Sequence, residues 1–198
     1  MRWHGPGAIA FEPLQPARGV PLEPAVKAEE KYEATSMYAI GYWRYTPRFG
    51  DLTDNDSFGN PVRRVNRGAY FFAEQTVYRE KGDPSQGLAL FFRYGVASTD
   101  VNTLDYSYSL GLHYKGLLPG RGEDEFGIGV TRGHAGAKFR RAAGTPLKSN
   151  ETALEITYRA RISPWLAIQP TLQRIANPGH DPARGDVWLA GTRFEIAF

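Results

Sequence analysis

The clearest hydrophobic–polar pattern lies in 151–176, ETALEITYRARISPWLAIQPTLQRIA. In its first part Thr152, Leu154, Ile156, Tyr158, Ala160 and Ile162 share one parity; Glu151, Ala153, Glu155, Thr157, Arg159 and Arg161 share the other. Successive side chains of a strand point to opposite faces, so the pattern predicts a strand with one apolar wall and one charged wall. Ser163-Pro164 breaks the run, and Leu166, Ile168 and Leu172 then alternate with Gln169, Thr171 and Gln173. Two amphipathic strands with almost nothing between them predict a hairpin. Its charged wall suits either bulk solvent, as on a soluble sandwich, or a wet channel, as in a membrane barrel.

The same period recurs along the chain. Residues 87–97 set Leu88, Leu90, Phe92, Tyr94 and Val96 against Arg93. Residues 104–116 set Leu104, Tyr106, Tyr108, Leu110, Leu112 and Tyr114 against Asp105, Ser107, Ser109, Gly111, His113 and Lys115. In 123–136, Phe126, Ile128 and Val130 alternate with Gly127, Gly129 and Thr131; in 186–198, Trp188, Ala190, Thr192, Phe194, Ile196 and Phe198 oppose Gly191, Arg193 and Glu195. Two further strands, 36–46 and 69–80, have ambiguous facing, the second because Glu74 and Gln75 are adjacent. No helical period is visible. The fold expected is all-β and antiparallel, with about eight strands over 36–198. Residues 1–35, with Pro6, Pro13, Pro16, Pro21 and Pro24, read as an extended linker or a disordered tail.

Strand length and connection length both bear on the environment. Soluble strands average about 5–6 residues, whereas a tilted membrane-spanning strand needs about 9–11. The predicted strands are of the longer kind. The connections read long (47–68), short (81–86, 98–103, 117–122), long (137–149), minimal (163) and medium (176–185). Longer odd connections fit a barrel with long loops on one rim and tight turns on the other, the last strand returning to the turn side.

Composition narrows the chemistry. The 24 basic and 21 acidic residues are dispersed rather than clustered, which argues against a nucleic-acid surface. Cysteine is absent, which removes disulfides, thiolate metal sites and a cysteine nucleophile. Aromatics make up 13%, and the negative mean hydropathy of −0.44 fits a barrel as well as a soluble protein, since half of each barrel strand meets water. No apolar run approaches the roughly 20 residues of a membrane-spanning helix. No secretory leader is visible after Met1, so for an exported protein the expectation is that residue 1 is not the natural start.

Asp51, Asp54 and Asp56 bring a calcium loop to mind, but D-x-x-D-N-D-x-x-G departs from the EF-hand spacing. The histidines His4, His113, His134 and His180 lack metal-ligand spacing, and there is no G-x-S-x-G elbow. A barrel enzyme of the lipase or protease kind would need His113 with Asp105 and Ser107 or Ser109. His113 lies about 26 Å along the strand from Asp105, at about 3.3 Å per residue, so the two cannot touch. A soluble lipid-binding barrel, with its apolar faces turned inward, is the third class.

Several blocks, taken in order, resemble a known family: GAYFFAEQ (68–75), GLALFFRYG (87–95), YSLGLHYKGLLPGRGEDEFGIG (108–129), ETALEITYRARISPWLAIQPTLQRIANPG (151–179) and GTRFEIAF (191–198). They are similar to the carbohydrate-selective porins of the OprB type, over most of 36–198. The resemblance implies a sixteen-stranded transmembrane antiparallel β-barrel in the outer membrane that passes sugars. Its members are about twice this length, so the chain resembles their C-terminal half: a fragment, a misplaced start or half of a split gene. Eight strands closing alone would make a barrel filled by side chains.

Under that resemblance the polar parity faces the lumen. The residues assigned to the sugar pathway are Arg93, Asp105, His113, Lys115, Glu155, Arg159, Arg161, Gln169, Gln173, Arg193 and Glu195; Arg beside Glu offers both donors and acceptors to hydroxyls. Trp165 and Trp188 are assigned to the interfacial girdle, and Phe198 resembles the C-terminal assembly signal. Trp43 is a girdle residue or a sugar-stacking one. The implied partners are monosaccharides or small oligosaccharides, outer-membrane lipid and the barrel-assembly machinery, with association into a homotrimer left open. No cofactor, metal or enzymatic activity is implied. The arrangement fails if Leu110, Leu112 or Ile156 is shielded while Glu155 and Arg159 look outward.

Overall fold

The computed structural model describes residues 36–197; the expectations for 1–35 and for Phe198 lie outside the described residues. Eight strands follow one another: β1 (Met37–Asn55), β2 (Pro61–Arg79), β3 (Gly87–Ala97), β4 (Leu104–Lys115), β5 (Glu125–Ala135), β6 (Asn150–Ser163), β7 (Leu166–Ala176) and β8 (Val187–Ile196). They form one sheet in sequence order, each strand antiparallel to the next. Among the described residues β1 and β8 each have a single strand neighbour.

The register joins the alternating patterns into two continuous faces. One row runs Leu90, Leu112, Ile128, Ile156, Leu172, Ala190 across six strands. One pairing step away, Gly111, Gly129, Glu155 and Gln173 form a row of the opposite parity. The two ambiguous strands now have a facing. Gln75 sits opposite Leu90 on the apolar face, Glu74 sits opposite Phe91 on the polar one, and Trp43 joins the polar face opposite Gly68. A bulge between Thr76 and Tyr78 then returns Tyr78 to the apolar face opposite Leu88.

Exposure decides which face is hidden. Leu110 is 44% exposed and Ile156 40%, whereas Glu155 is only 9% exposed. Among the described residues the only buried apolar ones are Ala135 and Ala167. A water-soluble domain of this length folds by burying apolar area, at about 25 cal/mol per Å². This sheet turns its apolar side chains outward, the arrangement expected where hydrocarbon is the solvent.

Three expectations need correction. The region 47–68 is not a long loop: β1 and β2 each continue to 19 residues, and only 56–60 connects them. The polar composition hid the strands because both faces of this extension lie beyond the apolar band. Second, connection lengths do not alternate cleanly, since 56–60 is shorter than 80–86 and 116–124. The odd-numbered rim is distinguished instead by the projecting hairpin and by a helix. Third, that helix, α1 (Ala137–Ala142), occupies the segment expected to be loop. Six residues are under two turns, too few to show a period.

Candidate functional site: the polar face of the sheet

Near the turn rim the polar face carries a ladder of alternating charge. Lys115 Nζ lies 3.5 Å from Glu123 Oε2, and Arg161 Nη1 lies 3.1 Å from the same oxygen. His113 Nε2 is 3.3 Å from Glu125 Oε2, and Arg159 is 3.8 Å from Glu125 Oε1. Arg159 also donates through Nε (2.9 Å) and Nη2 (2.7 Å) to Glu195 Oε2. Ion pairs this exposed contribute only about 0–1 kcal/mol each. Their effect is positional: each long side chain is held along the wall by a partner on the adjacent strand, in the connection before β5 or, for Arg159 and Glu195, two strands away.

Further along the strands the groups are neutral or singly charged. Gln169 Nε2 donates to Thr157 Oγ1 at 2.9 Å, Gln173 Nε2 donates to a Glu155 carboxylate oxygen, and Ser109 Oγ meets Thr131 Oγ1 at 2.8 Å. Arg93 and Arg193 differ from the ladder. Both are exposed, and among the described residues neither forms an ion pair; the Arg93 guanidinium lies 5.8 Å from the Phe91 ring centre. These two cations, with their donors uncommitted to carboxylates, are the free hydrogen-bonding groups of the face.

Ten of the eleven predicted pathway residues therefore share the polar face. Asp105 does not join them. A register irregularity between Leu104 and Tyr106 takes it out of the row, and its Oδ1 lies 2.6 Å from His134 Nδ1. His134 in turn stacks on Tyr106, ring centres 4.6 Å apart. His113 pairs with Glu125, so the residues of the hypothetical triad do not assemble.

The sequence pattern missed an aromatic lining. Tyr70, Phe72 and Phe91 share the polar face with Trp43. Three of these rings lie against glycine: a Cβ at Gly41 would overlap the Tyr70 ring, one at Gly68 the Trp43 ring, and one at Gly111 the Phe91 ring. The run Tyr70-Phe71-Phe72 signalled aromatics, but only the register shows which of them face this way.

Trp165 and Trp188 mark opposite rims. Trp165 lies in the connection between β6 and β7; Trp188 is the second residue of β8, with the Arg174 guanidinium 5.9 Å from its ring and bonded to Asp186 at 2.6 Å.

At the loop rim, α1 lies against the β1–β2 hairpin. Lys138 Nζ reaches Asp51 (2.7 Å), Asp54 (2.8 Å) and Asp100 (2.7 Å), and Arg64 bridges Asp51 (2.9 Å) and Asp54 (3.0 Å). Two of the acids that suggested a cation loop, Asp51 and Asp54, are thus neutralised by the chain's own cations, while Asp56 accepts from the Phe58 and Asn60 N–H groups of the turn. Asp100, Asp51 and Asp54 hold the Lys138 ammonium well above the ordinary lysine value.

At the turn rim Asp124 is almost fully buried. Burial alone would raise its pKa, but donation from the Tyr158 hydroxyl (2.6 Å), the Arg161 N–H (2.9 Å) and Arg121 (2.6 Å) outweighs this, and the carboxyl sits below its usual range. A depressed carboxyl stabilises the fold above its unfolded pKa, and that contribution disappears as pH falls through the folded value. Asp124→Asn is therefore expected to lower the thermal midpoint at pH 7 by about 2–4 °C. The gap to the parent should close as pH drops below the carboxylate range, which melting curves across a pH series would show.

The family described as "Carbohydrate-selective porin, OprB family" matches residues 10–198. Porin B of Pseudomonas aeruginosa is 27% identical over 201 residues, covering 89% of this chain and 43% of that protein. A solved structure described as the high-pH structure of Pseudomonas putida OprB superposes with a TM-score of 0.77 at 28% identity, covering 82% of this chain and 44% of that one. The low-pH structure of the same protein gives a TM-score of 0.51 at 23% identity. The chain spans less than half the length of these relatives.

Proposed function

Because the chain belongs to the OprB family of carbohydrate-selective porins, we propose that its polar face is part of the wall of a water-filled outer-membrane β-barrel through which monosaccharides or small oligosaccharides diffuse. The observation that carries this reading is the inverted exposure: outward leucines and isoleucines, and a hidden Glu155 on the face that holds the charge ladder.

Nothing reacts in such a pore; width and lining chemistry select what passes. A sugar hydroxyl both donates and accepts, so it exchanges its water partners for wall groups at small net cost where donors and acceptors alternate. Glu125, Arg159, Glu195, Lys115, Arg161 and His113 form that alternating wall near the turn rim, while Gln169, Gln173 and Glu155 extend it. Arg93 and Arg193 are its cations outside the ion-pair ladder. Lipid covers the apolar face, with Trp165 and Trp188 at the two interfaces, and the barrel-assembly machinery inserts the strands.

The test is swelling of liposomes carrying the protein in graded sugars, with pentoses and hexoses expected to enter faster than trisaccharides. Equal exclusion of all sugars would overturn the reading. Arg93→Glu/Arg193→Glu is expected to raise the cation-to-anion permeability ratio about twofold or more, since a low-dielectric wall focuses charge. Reversal potentials under a salt gradient measure it.

A further inference from the structure

The β1–β2 hairpin projects past the level at which β3 ends, and its two faces treat positive charge differently. On the polar side Arg64 and Lys138 are saturated by Asp51 and Asp54. On the other side the register sets Arg44 directly opposite Arg67. Arg63 shares the β2 parity of Arg67, and Arg48 lies opposite Val65 of that parity, so all four arginines share one face.

All four are exposed, and among the described residues none forms an ion pair. Arg48 and Arg63 donate only to each other's main-chain carbonyl. Like charges directly opposite on a sheet repel, so Arg44 against Arg67 is unfavourable unless an anion sits between them. Acids are not scarce in this hairpin: Asp51 and Asp54 lie on the other face, and Asp56 is taken up in the turn by the Phe58 and Asn60 N–H groups.

What lies below identifies the anion. The same face continues directly into Tyr42 and Ile40, 64% and 85% exposed, with Ala69 and Phe71 opposite them. A free phosphate would gain nothing from that apolar surface, whereas a lipid places acyl chains on it and its headgroup at the arginines. Guanidinium forks match phosphate oxygens two at a time.

We propose that Arg44, Arg48, Arg63 and Arg67 bind the phosphate groups of an anionic lipid headgroup whose acyl chains pack on Ile40, Tyr42 and Phe71. This rests on the apolar face being lipid-facing, and it adds a specific headgroup site at the loop rim. A charge placed at the interface rather than the midplane costs little to keep there, about 0–1 kcal/mol.

The test uses the full chain in neutral detergent micelles, titrated with diphosphorylated lipid A and with its dephosphorylated form, read by native mass spectrometry. The chain is expected to prefer the phosphorylated glycolipid on the order of tenfold, as basic residues at an anionic membrane surface do. R44Q/R48Q/R63Q/R67Q should abolish the preference. R44Q/R67Q, which removes no main-chain bond, should reduce it even if the quadruple variant unfolds. R184Q, at the same rim but paired with Asp181, should keep it. Equal binding of both glycolipids by the parent, full retention in R44Q/R67Q, or complete competition by millimolar inorganic phosphate overturns the headgroup site while leaving the lipid-facing assignment standing. Binding of neither glycolipid overturns both.

Discussion

Ile156→Arg is expected to destabilise the bilayer-inserted protein by about 2–4 kcal/mol, while Thr157→Arg, its neighbour, costs at most about 1 kcal/mol. The two positions differ by one residue and by a whole solvent. Ile156 lies between Ile128 and Leu172, in the middle of the apolar row, and is 40% exposed. An arginine there would leave a guanidinium in hydrocarbon with no acid to meet it. Thr157 faces the side where Gln169 already bonds it and where Arg159 stands two residues on, so an added guanidinium finds water and carboxylates. Guanidinium unfolding in liposomes measures both. Equal losses would show that the two faces have the same solvent, and the pore reading would fall with that result.

Lys138→Ala is expected to free α1 from the hairpin and speed proteolysis of 136–149 by about tenfold or more, since hydrogen bonds to charged groups contribute about 1.5–3 kcal/mol each. One ammonium serves three carboxylates from β1 and from the connection between β3 and β4, and the Asp51 side chain is fully covered. Removing the lysine leaves Asp51 and Asp54 to Arg64, and Asp100 to solvent. Because the ammonium is held above its ordinary pKa, the tether is complete through neutrality and is lost only as pH rises through the raised value. Cleavage of the parent should therefore be flat from pH 6 to about 9, with Lys138→Arg close to it. Protection that survives Lys138→Ala would assign the docking of α1 to other contacts, such as the Gly136 N–H to Thr103 carbonyl bond.

Neither cluster could be anticipated residue by residue. Arg159 and Glu195 are 36 positions apart, and Lys138 and Asp51 are 87 apart. Parity said that Arg159 and Glu195 belonged to polar walls; it could not say that β6 and β8 reach each other across β7. Asp105 shows the opposite failure. Its parity was right for the polar row, but a pairing irregularity beside it handed the carboxylate to His134.

What the sequence determined by itself was the period: from residue 87 onward, strand positions and the division into apolar and polar parities are local consequences of backbone pleating. The tertiary structure alone decided register, and with it the facing of β1 and β2, the aromatic lining of Trp43, Tyr70, Phe72 and Phe91, the projecting hairpin with its four arginines, and the docking of α1. Alternation is set by neighbours in the chain. Pairing is set by residues tens of positions away, competing for the same hydrogen bonds and the same apolar surface.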